Sequence, residues 1–159
     1  MTSAPDRGPV DLDQARAAFE RAAAGEREAF GDFFLARFLG LKISYPGEAS
    51  EVRFVAHDFL FNPQGSLHGG ILATTLDIAM GHLLQHQAAP GVTLEFKVQY
   101  VAAVRSGHVT CRGEFLQRGR SVAFLRAEAR TEEGTLLAFA TATWKLLRPA
   151  LPAAGVTPG

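Results

Sequence analysis

Cysteine occurs once in the 159 residues, at Cys111, so neither an intrachain disulfide nor a multi-cysteine zinc site can form. Neither sign of charge is in excess, because sixteen basic residues meet sixteen acidic ones. That balance gives no field to gather nucleic acid or an anionic membrane, and neither is expected as a partner. Long apolar runs are also missing. The longest, Ile71 to Leu84, carries Asp77 and His82 and is too short and too polar to span a bilayer. The first residues, Met-Thr-Ser-Ala-Pro-Asp-Arg, lead into no apolar segment, so no signal peptide is expected and the cytoplasm is the default location. His57, His86 and His108 lack metal-ligand spacing, and no metal or cofactor is expected.

What is present fits one soluble domain: 47% apolar and 20% charged residues, enough to bury a sizeable core. Residues 1–10 and 149–159 are rich in Pro, Gly and Ala and read as flexible tails. Residues 11–38 read as an N-terminal helical extension. Asp13 is positioned to cap a turn holding Ala17, Phe19 and Ala23. Glu26 to Phe38 continues with Phe30, Phe33, Phe34 and Phe38 at three- and four-residue spacings, and Gly40 ends it.

From Leu41 the period becomes two. Leu41, Ile43 and Tyr45, the Pro46-Gly47 turn, then Val52 and Phe54 spell a hairpin. A helix is expected over about Gly69 to Gln87. Four strands follow, with Leu94, Phe96, Val98 and Tyr100, then Val109, Cys111, Gly113 and Phe115, then Ala123, Leu125, Ala127 and Ala129 on their apolar faces, and a last strand over Thr135–Leu147. Short turns at Arg105–Gly107, Arg118–Arg120 and Glu132–Gly134 imply antiparallel pairing. The fold class is therefore α+β: a curved antiparallel sheet wrapped around one long central helix.

That helix has an unusual face. Leu72, Ala73, Leu76, Ala79, Met80, Leu83 and Leu84 form the side expected to meet the sheet. The opposite stripe is Gly70, Thr74, Asp77, Gly81 and Gln85, with no long charged residue, so a close cover is expected. The cover is either the protein's own loops or another of its helices, with Asp77 paired or hydrogen-bonded for structure, or a second copy of this helix across a two-fold axis with ligand space at the junction.

Residues 62–70 read Asn-Pro-Gln-Gly-Ser-Leu-His-Gly-Gly. Gly69 and Gly70 open the helix, where the first N–H groups lack internal partners and lie at the positive end of the dipole. Such a site can hold an anion or a carbonyl oxygen that becomes negative during acyl transfer. Asn62, His68-Gly69-Gly70 and Asp77 together resemble the hotdog-fold thioesterases of the phenylacetate-degradation (PaaI-type) group. Phe38-Leu39-Gly40-Leu41, Pro90-Gly91-Val92-Thr93 and Gly119-Arg120 extend the likeness over roughly 39–147. Tyr100-Val101-Ala102-Ala103-Val104 departs from the Arg-Pro that often follows this strand in the group.

The resemblance implies a hotdog thioesterase domain over 39–148 that hydrolyses an acyl- or aryl-CoA to free acid and CoA. It implies Asp77 as general base or nucleophile and the Gly69 N–H as the group polarising the thioester carbonyl. Asn62 would help hold the water or reacting group, His68 would lie beside the thioester, and Thr93 would orient the water. Arg118 and Arg120, flanking Gly119, and the Gly70 N–H are candidate substrate-binding groups, the arginines for phosphate. Gly69 and Asp77 are eight residues apart, about 12 Å along one helix. One thioester carbon cannot lie within ~3 Å of both. If both act, they come from two chains in a two-fold dimer, or a dimer of dimers. A hotdog dehydratase or hydratase, and a non-catalytic acyl-CoA-binding module, are the alternatives. The first needs a His–acid pair for proton transfer at carbon, which is not evident around His68. The second has no need of a desolvated carboxylate. His82 reads as a hydrogen-bonded structural histidine and Cys111 as a core residue.

Overall fold

The computed structural model describes residues 9–26 and 28–147. The tails assigned to 1–10 and 149–159 therefore lie outside the described residues, Pro9 and Val10 excepted. Helix α1 spans Leu12–Ala23. Its cap is Asp11 rather than Asp13: the Asp11 carboxylate accepts the N–H groups of Asp13 and Gln14. The Phe-rich stretch that follows is helical only over α2, Phe34–Leu39. Gly31 adopts φ +88°, a left-handed conformation that interrupts a helix, and Ala29 and Asp32 close a turn through reciprocal backbone bonds. Arg37 holds this turn by bonding the carboxylates of Glu28 and Asp32. Gly40, at φ +66°, ends α2 as expected.

Strands β1 (Lys42–Ser44) and β2 (Ser50–Val55) form the expected hairpin. After a 3₁₀ turn at Asp58–Leu60 comes the central helix α3, Gly69–Gln87. Then follow β3 (Gly91–Tyr100), β4 (His108–Arg118), β5 (Val122–Thr131) and β6 (Leu136–Leu146). All pairings are antiparallel, in the order β1-β2-β4-β5-β6-β3. One feature of this order was not readable from turn lengths. Strand β3 does not pair with β4, its successor, but crosses to the far side of β6 and becomes a ten-residue edge.

The core lies between α3 and the concave sheet face. Leu76, Met80, Leu83 and Leu84 are fully buried, each worth about 1.5–3 kcal/mol relative to exposure. They meet small residues on the sheet, among them Ala123, Ala127, Ala129, Ala138 and Ala140. Gly113 sets the closest approach: a Cβ there would lie 2.8 Å from Ser50 Oγ and 3.1 Å from the Ala79 carbonyl oxygen. Ser50 Oγ donates to that same carbonyl at 2.6 Å, tying sheet to helix.

The buried side of α3 is wider than the amphipathic reading gave. Thr75 and His82 are buried, whereas Ala73 is only half-buried. Thr75 receives the Cys111 thiol at 3.4 Å, and burial pushes that thiol up to about 12, as suits a core cysteine. The sheet curls far enough that β2, β3, β4, β5 and β6 all touch the helix. Part of the small-residue stripe is therefore covered by the protein's own sheet, with Gly81 against Trp144 and Asp77 against Thr93.

Candidate active site

The loop over 57–68 delivers His68 to the start of α3. Asn62 closes it, donating from Nδ2 to Ser66 Oγ and accepting the Ser66 N–H. His68 is the N-cap, with its Nδ1 accepting the Gly70 N–H at 2.9 Å. The His68 carbonyl accepts the Ile71 N–H. Gly69 N–H has no acceptor among the described residues. The helix thus begins with one unengaged donor, at the position the sequence singled out. A pocket over it is lined by Asn62, Gly69, Leu72, Tyr100 and the segment 101–104.

Two turns further along α3, Asp77 is half-buried. Thr93 Oγ1 donates to its Oδ1 at 3.0 Å. Burial raises the Asp77 pKa above the ordinary carboxylate value, and the Thr93 bond offsets part of the rise. No described residue bonds Oδ2, so one oxygen is oriented and the other is open. Thr93 reaches Asp77 because of a bulge. Thr93 pairs with Trp144 and Glu95 with Thr143, so Leu94 is an extra residue. Strict alternation placed Leu94 inside and Thr93 outside. Instead Leu94 is 58% exposed and Thr93 turns toward the helix.

Asp77 opens on a second pocket, lined by Phe30, Phe33, Ile78, Gly81, Trp144 and His82. Gly69 and Asp77 therefore face separate openings in one chain, in line with their spacing along the helix. The turn before α2 supplies Phe30 and Phe33 to the Asp77 pocket. His82 is the hydrogen-bonded histidine expected: its Nδ1 lies 2.8 Å from the Tyr45 hydroxyl, Phe30 lies tilted against its ring at 4.2 Å, and burial lowers its pKa.

The β4–β5 turn lies at the opposite end of α3. Arg118 donates to the Gln87 carbonyl and to Gln87 Oε1 and lies over the Phe115 ring, so its guanidinium closes the helix C-terminus. Gly119 makes the turn, since a Cβ there would sit against the Val122 carbonyl oxygen. Arg120 is exposed. A larger groove of about 440 Å³ lies on the outer sheet face, but its charges, including Arg112, Glu114 and Arg126, are already paired with one another. Among the described residues no cluster of His, Cys, Asp and Glu could hold a metal, and no helix is long and apolar enough to cross a membrane.

Residues 64–138 match the family described as "Thioesterase superfamily". SSO2140 of Saccharolobus solfataricus, provisionally named an esterase, is 30% identical over 115 residues, covering 70% of this chain and 82% of that protein. The medium/long-chain acyl-CoA thioesterase YigI of Escherichia coli K12 is 29% identical over 128 residues, covering 68% and 82%. Among solved structures, BH2602 of Bacillus halodurans, determined with CoA, shares the fold at 22% identity with a TM-score of 0.76 over 91% of this chain and 98% of that one.

Proposed function

The chain belongs to the thioesterase superfamily, and from that premise we propose that it hydrolyses acyl-CoA thioesters at a site shared between two copies of itself. The observation that carries the reading is Asp77: a half-buried carboxylate with a raised pKa, one oxygen held by Thr93 and the other open. A partly desolvated carboxylate is a stronger base, and a thiolate is a good leaving group. The second need is a donor for the developing oxyanion, and the unengaged Gly69 N–H at the positive end of α3 answers it.

In this reading the thioester carbonyl accepts from Gly69 of one chain, beside Asn62 and His68. Asp77 Oδ2 of the other chain takes a proton from water, which Thr93 helps orient. The hydroxide attacks the carbonyl carbon, the tetrahedral oxyanion collapses, and the carbon–sulfur bond breaks. The proton on Asp77 passes to the departing thiolate, giving free acid and CoA.

Two features favour pairing of chains. Gly69 and Asp77 are about 12 Å apart along one helix. Among the described residues strand β3 leaves one long edge unpaired, with Val92 and Leu94 exposed on it, and such an edge invites a second strand. Arg118 is engaged at the end of α3, which leaves Arg120 as the cation of that turn open to a CoA phosphate. The aromatic and aliphatic wall beside Asp77 suits an apolar acyl or aryl group.

The test is release of CoA thiol from a panel of aromatic, medium-chain and long-chain acyl-CoAs, read with a thiol dye. The buried Cys111 thiol, with its pKa near 12, keeps the protein's own background low. Turnover of at least one substrate, abolished in Asp77→Asn, is expected. Binding of acyl-CoA without thiol release would refute the reading.

A further inference from the structure

Tyr100 ends β3 and is 53% exposed, so its hydroxyl has no core to satisfy. That hydroxyl donates to the Gly69 carbonyl at 2.9 Å. The next N–H along, that of Gly70, donates to His68 Nδ1, also at 2.9 Å. The carbonyl of Gly69 and the N–H of Gly70 belong to one peptide group. A single peptide plane is therefore held at both ends, by a phenol on one side and an imidazole on the other.

The two glycines make this possible. A Cβ on Gly69 would lie 3.1 Å from two carbons of the Tyr100 ring, and a Cβ on Gly70 would lie 3.1 Å from His68 Nδ1. Each ring occupies space that a side chain would fill. The glycine pair thus has a reason beyond exposing N–H groups: it lets two rings close on one peptide.

The chemistry runs in one direction. A donor on the carbonyl polarises the peptide and strengthens its N–H as a donor. Because Nδ1 accepts that N–H, it carries no proton in this arrangement, and the neutral His68 ring holds its proton on Nε2. His68 is exposed, so this Nε2–H is open to an incoming ligand. We infer that Tyr100 is a positioning residue of the oxyanion site, acting through the Gly69–Gly70 peptide to fix the ring and tautomer of His68 beside the Gly69 donor. The inference rests on the proposed thioesterase reading, in which that corner of the molecule holds the thioester carbonyl.

Tyr100→Phe keeps the ring against Gly69 and removes only the hydroxyl. In the parent with 15N-labelled histidine, one of the five histidines, assigned as His68 by its loss in His68→Asn, is expected to be purely the Nε2-protonated tautomer when its ring is neutral. In Tyr100→Phe that signal is expected to move toward a mixture of tautomers. The kcat for acyl-CoA is expected to fall about three- to tenfold with KM within about twofold, the scale of one hydrogen bond. Circular dichroism and the melting temperature should be nearly unchanged, since the hydroxyl lost is exposed. A purely structural tyrosine would leave the histidine spectrum alone. An unchanged tautomer, or a changed tautomer with parental kcat, overturns the inference while the thioesterase reading stands. A parent inactive on every thioester removes the reading itself, and is seen before Tyr100 is altered.

Discussion

If the reacting thioester takes its base from one chain and its oxyanion donor from the other, two inactive proteins should restore each other. Asp77→Asn preserves the Thr93 bond, because the amide oxygen still accepts it, and deletes the base. Gly69→Pro deletes the proposed donor at the first helical position, where proline is otherwise tolerated. His68 before it has ψ 131°, the extended conformation that a residue preceding proline needs. The proline Cβ would press the Tyr100 ring by a few tenths of an ångström, and that half-exposed ring can yield. Any disturbance of Tyr100 falls on the same half-site as the lost donor, so the design survives it. Each mutant alone carries one defect in every site and should be nearly inactive, down about 10²-fold or more. Unfolded and refolded together in equal amounts, half of randomly paired dimers are hybrids. In each hybrid one site collects both defects and the other collects none. About a quarter of parental thiol release should return. With exchange verified by differently tagged chains, recovery near zero would refute the shared site even though both single mutants are inactive.

Other outcomes follow from the same geometry. The Asp77 pKa is raised in the folded state, so ionising Asp77 opposes folding: its favourable contribution is full at low pH and is lost as pH rises through the folded value. Asp77→Asn should therefore melt higher than the parent at neutral pH, and the gap should close on acidification below the ordinary carboxylate range; an Asn variant melting lower at neutral pH would contradict this. Thr93 stabilises the charged carboxylate, so Thr93→Val should raise the Asp77 pKa further and move the acidic limb of kcat/KM to higher pH; a limb that stays put or moves down would detach Thr93 from Asp77. Gly113→Ala places a methyl against Ser50 Oγ and the Ala79 carbonyl and should cost about 1–3 kcal/mol in denaturant unfolding, with parental stability showing that helix and sheet are not in such close contact.

Much of this protein was legible in its sequence because the signals are local. Alternation over Val109–Phe115 and Ala123–Ala129 named the inward residues of β4 and β5, and the spacing from Leu72 to Leu84 found the core face of α3. Gly69 and Gly70 marked a helix start with exposed donors, and Asp77 stood out as the one acid on an otherwise uncharged stripe. The eight-residue gap between Gly69 and Asp77 needed only the rise of a helix to separate them. What depended on contacts distant in sequence was not legible. The left-handed Gly31 broke a Phe-rich stretch that has helical spacing, and its rings met His82 and the Asp77 pocket instead. Strand β3 crossed beyond β6, because pairing partners are chosen by how the whole sheet closes around α3 and not by turn length. The extra residue Leu94 rotated Thr93 inward to Asp77, a one-residue shift that only the ladder with β6 reveals. Tyr100 read as the last apolar position of a strand, yet its hydroxyl met a carbonyl 31 residues away. Period and propensity fix which way a residue faces within its own element; which atom it then touches is decided when the sheet curls and brings separate elements together.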